Sequence, residues 1–220
     1  WKGKYSEKLV NNKIQELPEE YVVFNDLLLK VTDIQHKLTI VVSPYGVFVI
    51  ETKGYKGWIL GRENGEYWTQ TIYKSKHQFY NPIKQNAGHV RFLHHLLKCS
   101  TDILFIPIVV FNNSAELKVH ADNNIVVNRY NLKRAILQYR TAVLNQETIN
   151  WIIQTINQNR IIADKEKLKQ HKHNAKARQY RSSRLINQGV CPQCGGHLIL
   201  RKASTALSMD VQTFPHASLP

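Results

Sequence analysis

The chain has 220 residues, 43% of them hydrophobic, and its 30 Lys and Arg against 16 Asp and Glu give a net charge of +14. This is enough apolar material for a core, with room for one full domain and a smaller module. The basic balance favours a polyanionic partner, nucleic acid or an anionic membrane surface. No apolar run approaches the roughly 18 residues of a membrane span, so the chain as written is expected to be soluble.

In chain order, Leu9, Val10, Ile14 and Leu17 recur at helical spacing and predict a helix over Tyr5–Leu17 that Pro18 stops. Strands are predicted over Tyr21–Leu29, Thr39–Ser43, Val47–Thr52, Trp58–Gly61 and Glu66–Thr71, with turns at Pro44–Gly46, Gly54–Gly57 and Asn64-Gly65. Asn81-Pro82 opens a helix running to about Lys98, with Ile83, Ala87, Val90, Leu93, Leu96 and Leu97 on its inner side. Ile103–Phe111 is a buried strand and Asn123–Val127 a shorter one, and helices over Asn131–Leu137 and Gln146–Gln158 finish the domain. The order implies an α/β or α+β core, a mixed central sheet flanked by helices.

The most suggestive chemistry is Glu51-Thr52-Lys53, at the end of an apolar strand. Residues two apart on a strand share a face, so a carboxylate there can hold a metal while the ammonium positions water or offsets developing charge. Taken alone, the triplet reads first as a common same-face charge pair on a solvated strand. From Arg160 to Arg184 the composition turns polar and basic, with Lys165, Lys167, Lys169, Lys172, Lys176, Arg178, Arg181 and Arg184 among His and Gln. That segment cannot build a core; it is a solvated helical linker or a contact to a phosphate backbone.

Three cysteines occur, two of them as Cys191-Pro-Gln-Cys194. This pair reads as a metal half-site or a reduced pair in a cytoplasmic protein rather than a disulfide framework. Cys99, between a helix and a strand, is expected to be a small buried hydrophobe. The chain begins at Trp1 rather than Met, so an upstream segment is expected, with room for a membrane anchor.

The run S-P-Y-G-V-F-V-I-E-T-K-G-Y-K-G-W, followed by Trp68 and by Asn81-Pro-Ile-Lys-Gln85, resembles the nuclease-related domain, NERD, of the PD-(D/E)XK nuclease-like superfamily. The likeness extends over about residues 2–120. It implies a restriction-endonuclease-like core, action on DNA, and Mg²⁺-dependent phosphodiester hydrolysis. It also implies Glu51 as a metal-binding acid, Lys53 as the catalytic lysine, Gln85 as a glutamine reaching the site from the following helix, and Glu7 as an accessory acid. Taken as ordinary surface residues, Glu7 would be a first-turn acid and Gln85 a helix-surface amide.

One departure is serious. Where the family has Q-I-D-H ahead of the central strands, this chain has His36-Lys37-Leu38-Thr39, so Leu38 stands in the place of the first metal-binding Asp. Asp33, five positions earlier, has the wrong parity to substitute for it on a regular strand. Codon freedom allows Val31–Thr39 to be encoded by a DNA whose other frame reads N-G-H-S-T-Q-I-D-H, which would restore the motif. Gly189–Arg201 resembles the first knuckle of topoisomerase-type zinc ribbons, with Cys191 and Cys194 converging on Zn²⁺. No cysteine follows; His197 and His216 are weak substitutes. The same frame offset applied to Ala203–Pro220 yields the missing second half.

The domains implied are a NERD core at 1–120, helical completion at 121–160, a basic helical linker at 161–188, and an incomplete zinc ribbon with a disordered tail at 189–220. Three functions compete: a metal-dependent nuclease whose catalysis Leu38 puts in question, a non-catalytic nucleic-acid-binding module whose basic segment and ribbon supply affinity, and a membrane-associated stress or processing factor anchored upstream of Trp1.

Overall fold

A computed structural model of the protein describes residues 2–31, 34–98, 103–160, 188–190, 198–202 and 207–211. The chain divides into two units, Trp1–Ile162 and Ala163–Pro220.

The first unit opens with α1 (Lys2–Ile14), followed by β1 (Val22–Val31), β2 (Ile34–Ser43) and β3 (Gly46–Lys53). Then come β4 (Gly57–Arg62), β5 (Tyr67–Ile72), β6 (Ser75–Tyr80) and α2 (Pro82–Leu96). It ends with β7 (Phe105–Phe111), β8 (Ala115–His120), β9 (Ile125–Asn128), α3 (Arg129–Leu137) and α4 (Gln146–Asn159). The expected mixed α/β architecture is present, but its strands form two mixed sheets rather than one. The central sheet has the order β1-β2-β3-β7-β9, antiparallel through β3 and parallel thereafter. The second has the order β6-β5-β4-β8, with β4 and β8 parallel.

Alternation along the central strands divides the core. One face buries Leu38, Ile40, Val47 and Val49 against Leu93 and Leu97 of the α2 region and against Ile149, Ile152 and Ile156 of α4. The other buries Val41, Phe48, Ile50 and Ile108 against Val10 and Ile14 of α1 and Leu132 and Ile136 of α3. The β2–β3 turn needs Gly46, whose φ is +133° and where a Cβ would press on the Leu104 carbonyl. Among the described residues, no helix is long and apolar enough to cross a membrane.

β3 and β7 pass from the central sheet into the second sheet side by side. Lys53 pairs with Phe111 at the end of one ladder, and Gly57 pairs with Ala115 at the start of the next. Trp68, Phe79, Phe111 and Ile59 close the space between the second sheet and α2. Trp68 stacks on Phe111 at 6.1 Å, and a Cβ at Gly61 would overlap the Trp68 indole, so this position must be glycine.

β6 and β8 were not expected from the sequence. β6 is exposed at Ser75, Lys76, His77 and Gln78 and gives little apolar signal, although Ala115, Leu117 and Val119 of β8 alternate with polar residues as a half-buried strand should. β1 is interrupted by an irregular register between Phe24 and Leu27, where Asp26 has φ 51°.

In the second unit β10 (Leu198–Lys202) pairs antiparallel with β11 (Leu207–Val211). β11 lies inside the tail expected to be disordered. Cys99, Asp33, His197 and His216 lie outside the described residues, as does the basic segment from 161 to 187.

Candidate functional site

β3 is buried from Gly46 through Glu51, and only at Thr52 and Lys53 does it become partly exposed. A continuous apolar run makes a strand covered on both faces, and its last rungs carry the polar groups. Glu51 is 8% exposed. Its Oε1 lies 2.8 Å from Lys53 Nζ, and the same ammonium donates to Gln85 Oε1 at 2.8 Å. The strand thus supplies the acid and the lysine, and α2 supplies the amide.

α2 is placed for this by Asn81. Its side chain accepts from the Ile83 N–H at 2.9 Å, capping the helix, and donates to the carbonyls of Glu63 and Gly65 in the β4–β5 turn at 2.8 and 2.7 Å. One turn further on, the buried Asn86 amide donates to the Val49 carbonyl at 2.9 Å and to the Ile108 carbonyl at 3.2 Å, fixing α2 across β3 and β7. His89, one helical turn beyond Gln85, brings Nδ1 to 3.6 Å from Glu51 Oε2. Sequence analysis did not single out His89 or Asn86; the four-residue spacing from Gln85 to His89 is the signal that places both on one helix face.

Leu38 completes the frame. Thr39 pairs with Ile50, so the next antiparallel rung sets Leu38 opposite Glu51, and both belong to the face that α2 covers. On the other side Glu51 pairs in parallel with Val109. A carboxylate walled by Leu38, Val49 and Val109 is poorly solvated, and burial pushes the Glu51 pKa above its usual 4.5, against the lowering effect of Lys53. The negative charge of Glu7, half-buried on α1, adds to the rise. A cleft of about 720 Å³ opens beside Lys53, lined by Tyr5, Ser6, Tyr55, Gln70 and Asn112 among others.

Of the site residues expected from the sequence, Lys53 is therefore in direct contact with both Glu51 and Gln85, and Glu7 is near enough to act on Glu51 through its field. Cys191, Cys194, Lys165, Lys169, Lys172, Lys176, Arg178, Arg181 and Arg184 lie outside the described residues. Mg²⁺ takes near-octahedral oxygen ligands. Glu51 alone, engaged by Lys53 and flanked by Leu38 and Val109, does not fit that demand. Among the described residues no three His, Cys, Asp or Glu side chains group to hold a metal.

The family model for the nuclease-related domain, NERD, matches residues 2–112. The chain belongs to the NERD family. The match runs from α1 to the end of β7, so the NERD segment contains Glu7, Leu38, Glu51, Lys53, Gln85 and His89, while β8, β9, α3 and α4 lie beyond it in the same unit. An uncharacterized protein of Bacillus anthracis is 34% identical over 191 residues, covering 81% of this chain and 87% of the relative. No solved structure matches the NERD chain significantly.

Proposed function

We propose that this NERD protein is a nuclease-related nucleic-acid-binding protein that retains half of a metal-dependent phosphodiesterase site. One observation carries the reading: Glu51, Lys53 and Gln85 are in contact, while the rung beside Glu51, where a second carboxylate would complete a Mg²⁺ site, holds Leu38. What remains is an ammonium at the mouth of an open cleft on a chain of net charge +14, which suits a phosphate backbone. Lys165, Lys169, Lys172, Lys176, Arg178, Arg181 and Arg184 extend that basic character, and DNA is the partner the family favours.

A second reading is hydrolysis of DNA, with Glu51 as metal ligand, Lys53 beside the attacking water and Glu7 as accessory acid. The intact Glu51–Lys53–Gln85 contact favours it, and it needs a carboxylate beside Glu51 that the PD-(D/E)XK pattern has and Leu38 removes. A shifted reading frame across Val31–Thr39 accounts for that loss. The same offset in Ala203–Pro220 accounts for a zinc ribbon cut short after Cys191 and Cys194. Unshifted coding through both segments in the nucleotide sequence would remove the frameshift account.

The functional test is incubation with plasmid DNA and Mg²⁺ or Mn²⁺ of the unaltered protein, Glu51→Ala and Leu38→Asp. Binding without cleavage by the unaltered protein, with cleavage gained in Leu38→Asp, is the expected result. Cleavage by the unaltered protein that disappears in Glu51→Ala establishes the second reading, and cleavage persisting in Glu51→Ala removes this site from consideration.

A further inference from the structure

The outer face of the second sheet is not needed by the Glu51 site, yet it presents large aromatic rings to solvent. Alternate positions point away from the Trp68–Phe111 core, and on that face lie Trp58, 49% exposed, Tyr67, 56% exposed, and Tyr80, 46% exposed. The cations Arg62, Lys76 and Lys118 stand among them, and Glu116 is the sole acid on the outward strand positions. Lys118 Nζ sits 3.7 Å from the centroid of the Trp58 ring and 3.3 Å from Glu116. Tyr67 and Tyr80 pair across β5 and β6 with ring centroids 6.2 Å apart, edge to face. A cavity of about 440 Å³ opens between Trp58 and Tyr73, and Tyr73 is held at φ 52° on the hairpin tip, 98% exposed.

We propose that this face binds single-stranded nucleic acid, with bases stacking on Trp58 and on the Tyr67–Tyr80 pair and phosphates meeting Lys118, Lys76 and Arg62. A sheet carrying aromatic rings and cations offers two things that a single strand needs together, π-faces for unpaired bases and charge for the backbone. A duplex would use only the charge. Trp58 and Arg62 are four residues apart on β4, about 13 Å, which leaves room for successive bases between the two aromatic ends. When a base takes the indole face, the Lys118 ammonium gives up a weak, solvent-exposed cation–π contact and swings to a phosphate on its flexible stem. The inference rests on nucleic acid being the partner and is independent of cleavage.

The test uses the full chain and fluorescence anisotropy with labelled oligothymidylate and oligouridylate of about twenty nucleotides, an abasic strand and a duplex of the same length. Trp58→Ala and Tyr80→Ala, both at exposed positions and checked by circular dichroism, are each expected to weaken binding of the base-bearing strands about tenfold and to leave the abasic strand and duplex within about twofold. Loss on oligothymidylate, oligouridylate or both supports the face and says which polymer it takes. Unchanged affinity in both variants overturns this face while leaving the proposed function intact, and an equal loss on the duplex overturns the preference for single strands. Absence of binding to any nucleic acid by the unaltered protein overturns both.

Discussion

Leu38 and Glu51 face each other across β2 and β3, one rung beyond the paired Thr39 and Ile50, on the side of the sheet that α2 covers. An apolar side chain therefore stands on the rung beside the buried carboxylate. Leu38 is 2% exposed and packs as an ordinary core leucine.

Leu38→Asp should therefore gain metal affinity and lose stability. Replacing a buried leucine with a carboxylate costs about 3 kcal/mol or more without metal. Mn²⁺ should recover much of that loss, because binding to the folded state alone stabilises it. Thermal unfolding with and without Mn²⁺ checks this; a midpoint in the variant that responds to Mn²⁺ no more than that of the unaltered protein would show that position 38 does not face a metal site.

The raised pKa of Glu51 has a defined sign in stability. The folded state holds this proton more tightly than the unfolded chain, so its stabilising contribution is complete below 4.5 and is lost as pH rises through the folded value. Glu51→Gln carries no such loss. Urea unfolding at a series of pH values should show the unaltered protein losing stability relative to Glu51→Gln as pH rises from 4.5, and a constant difference would contradict the burial argument.

Lys53 and Gln85 should differ in cost. Gln85→Ala removes one hydrogen bond to an ammonium that keeps Glu51, worth about 1–2 kcal/mol. Lys53→Met leaves the buried carboxylate without its cation and should cost about 3 kcal/mol near pH 8, less as the pH is lowered and Glu51 takes up a proton. Equal and pH-independent losses in the two variants would mean that the ion pair is not formed.

Asn81→Ala should cost about 2 kcal/mol, since it removes the α2 cap and two donations to the β4–β5 turn. It should also loosen the Lys53–Gln85 contact, read as faster amide exchange in the first turn of α2. Unchanged exchange there would show that the helix is held by its apolar face alone.

The central sheet was legible because β3 and β7 are continuous apolar runs and because Asn81-Pro82 is a helix start with a local physical cause. The second sheet was only half legible: Trp58–Gly61 and Glu66–Thr71 read as strands, but polar Ser75–Gln78 does not. The fold itself explains two motif residues in other terms than catalysis. Trp68 fills the space between the second sheet and α2, and Asn81 staples a helix to a turn. His89 lies one helical turn from Gln85, but only the packing of α2 across β3 sets it against Glu51.

The paired passage of β3 into β4 and of β7 into β8 has a mechanical consequence. The two sheets share two lengths of chain, joined through Gly54–Lys56 and Asn112–Ser114. A pull on β4 at Trp58 would reach the strand end that carries Lys53 and Glu51 after only the three residues Gly54–Lys56.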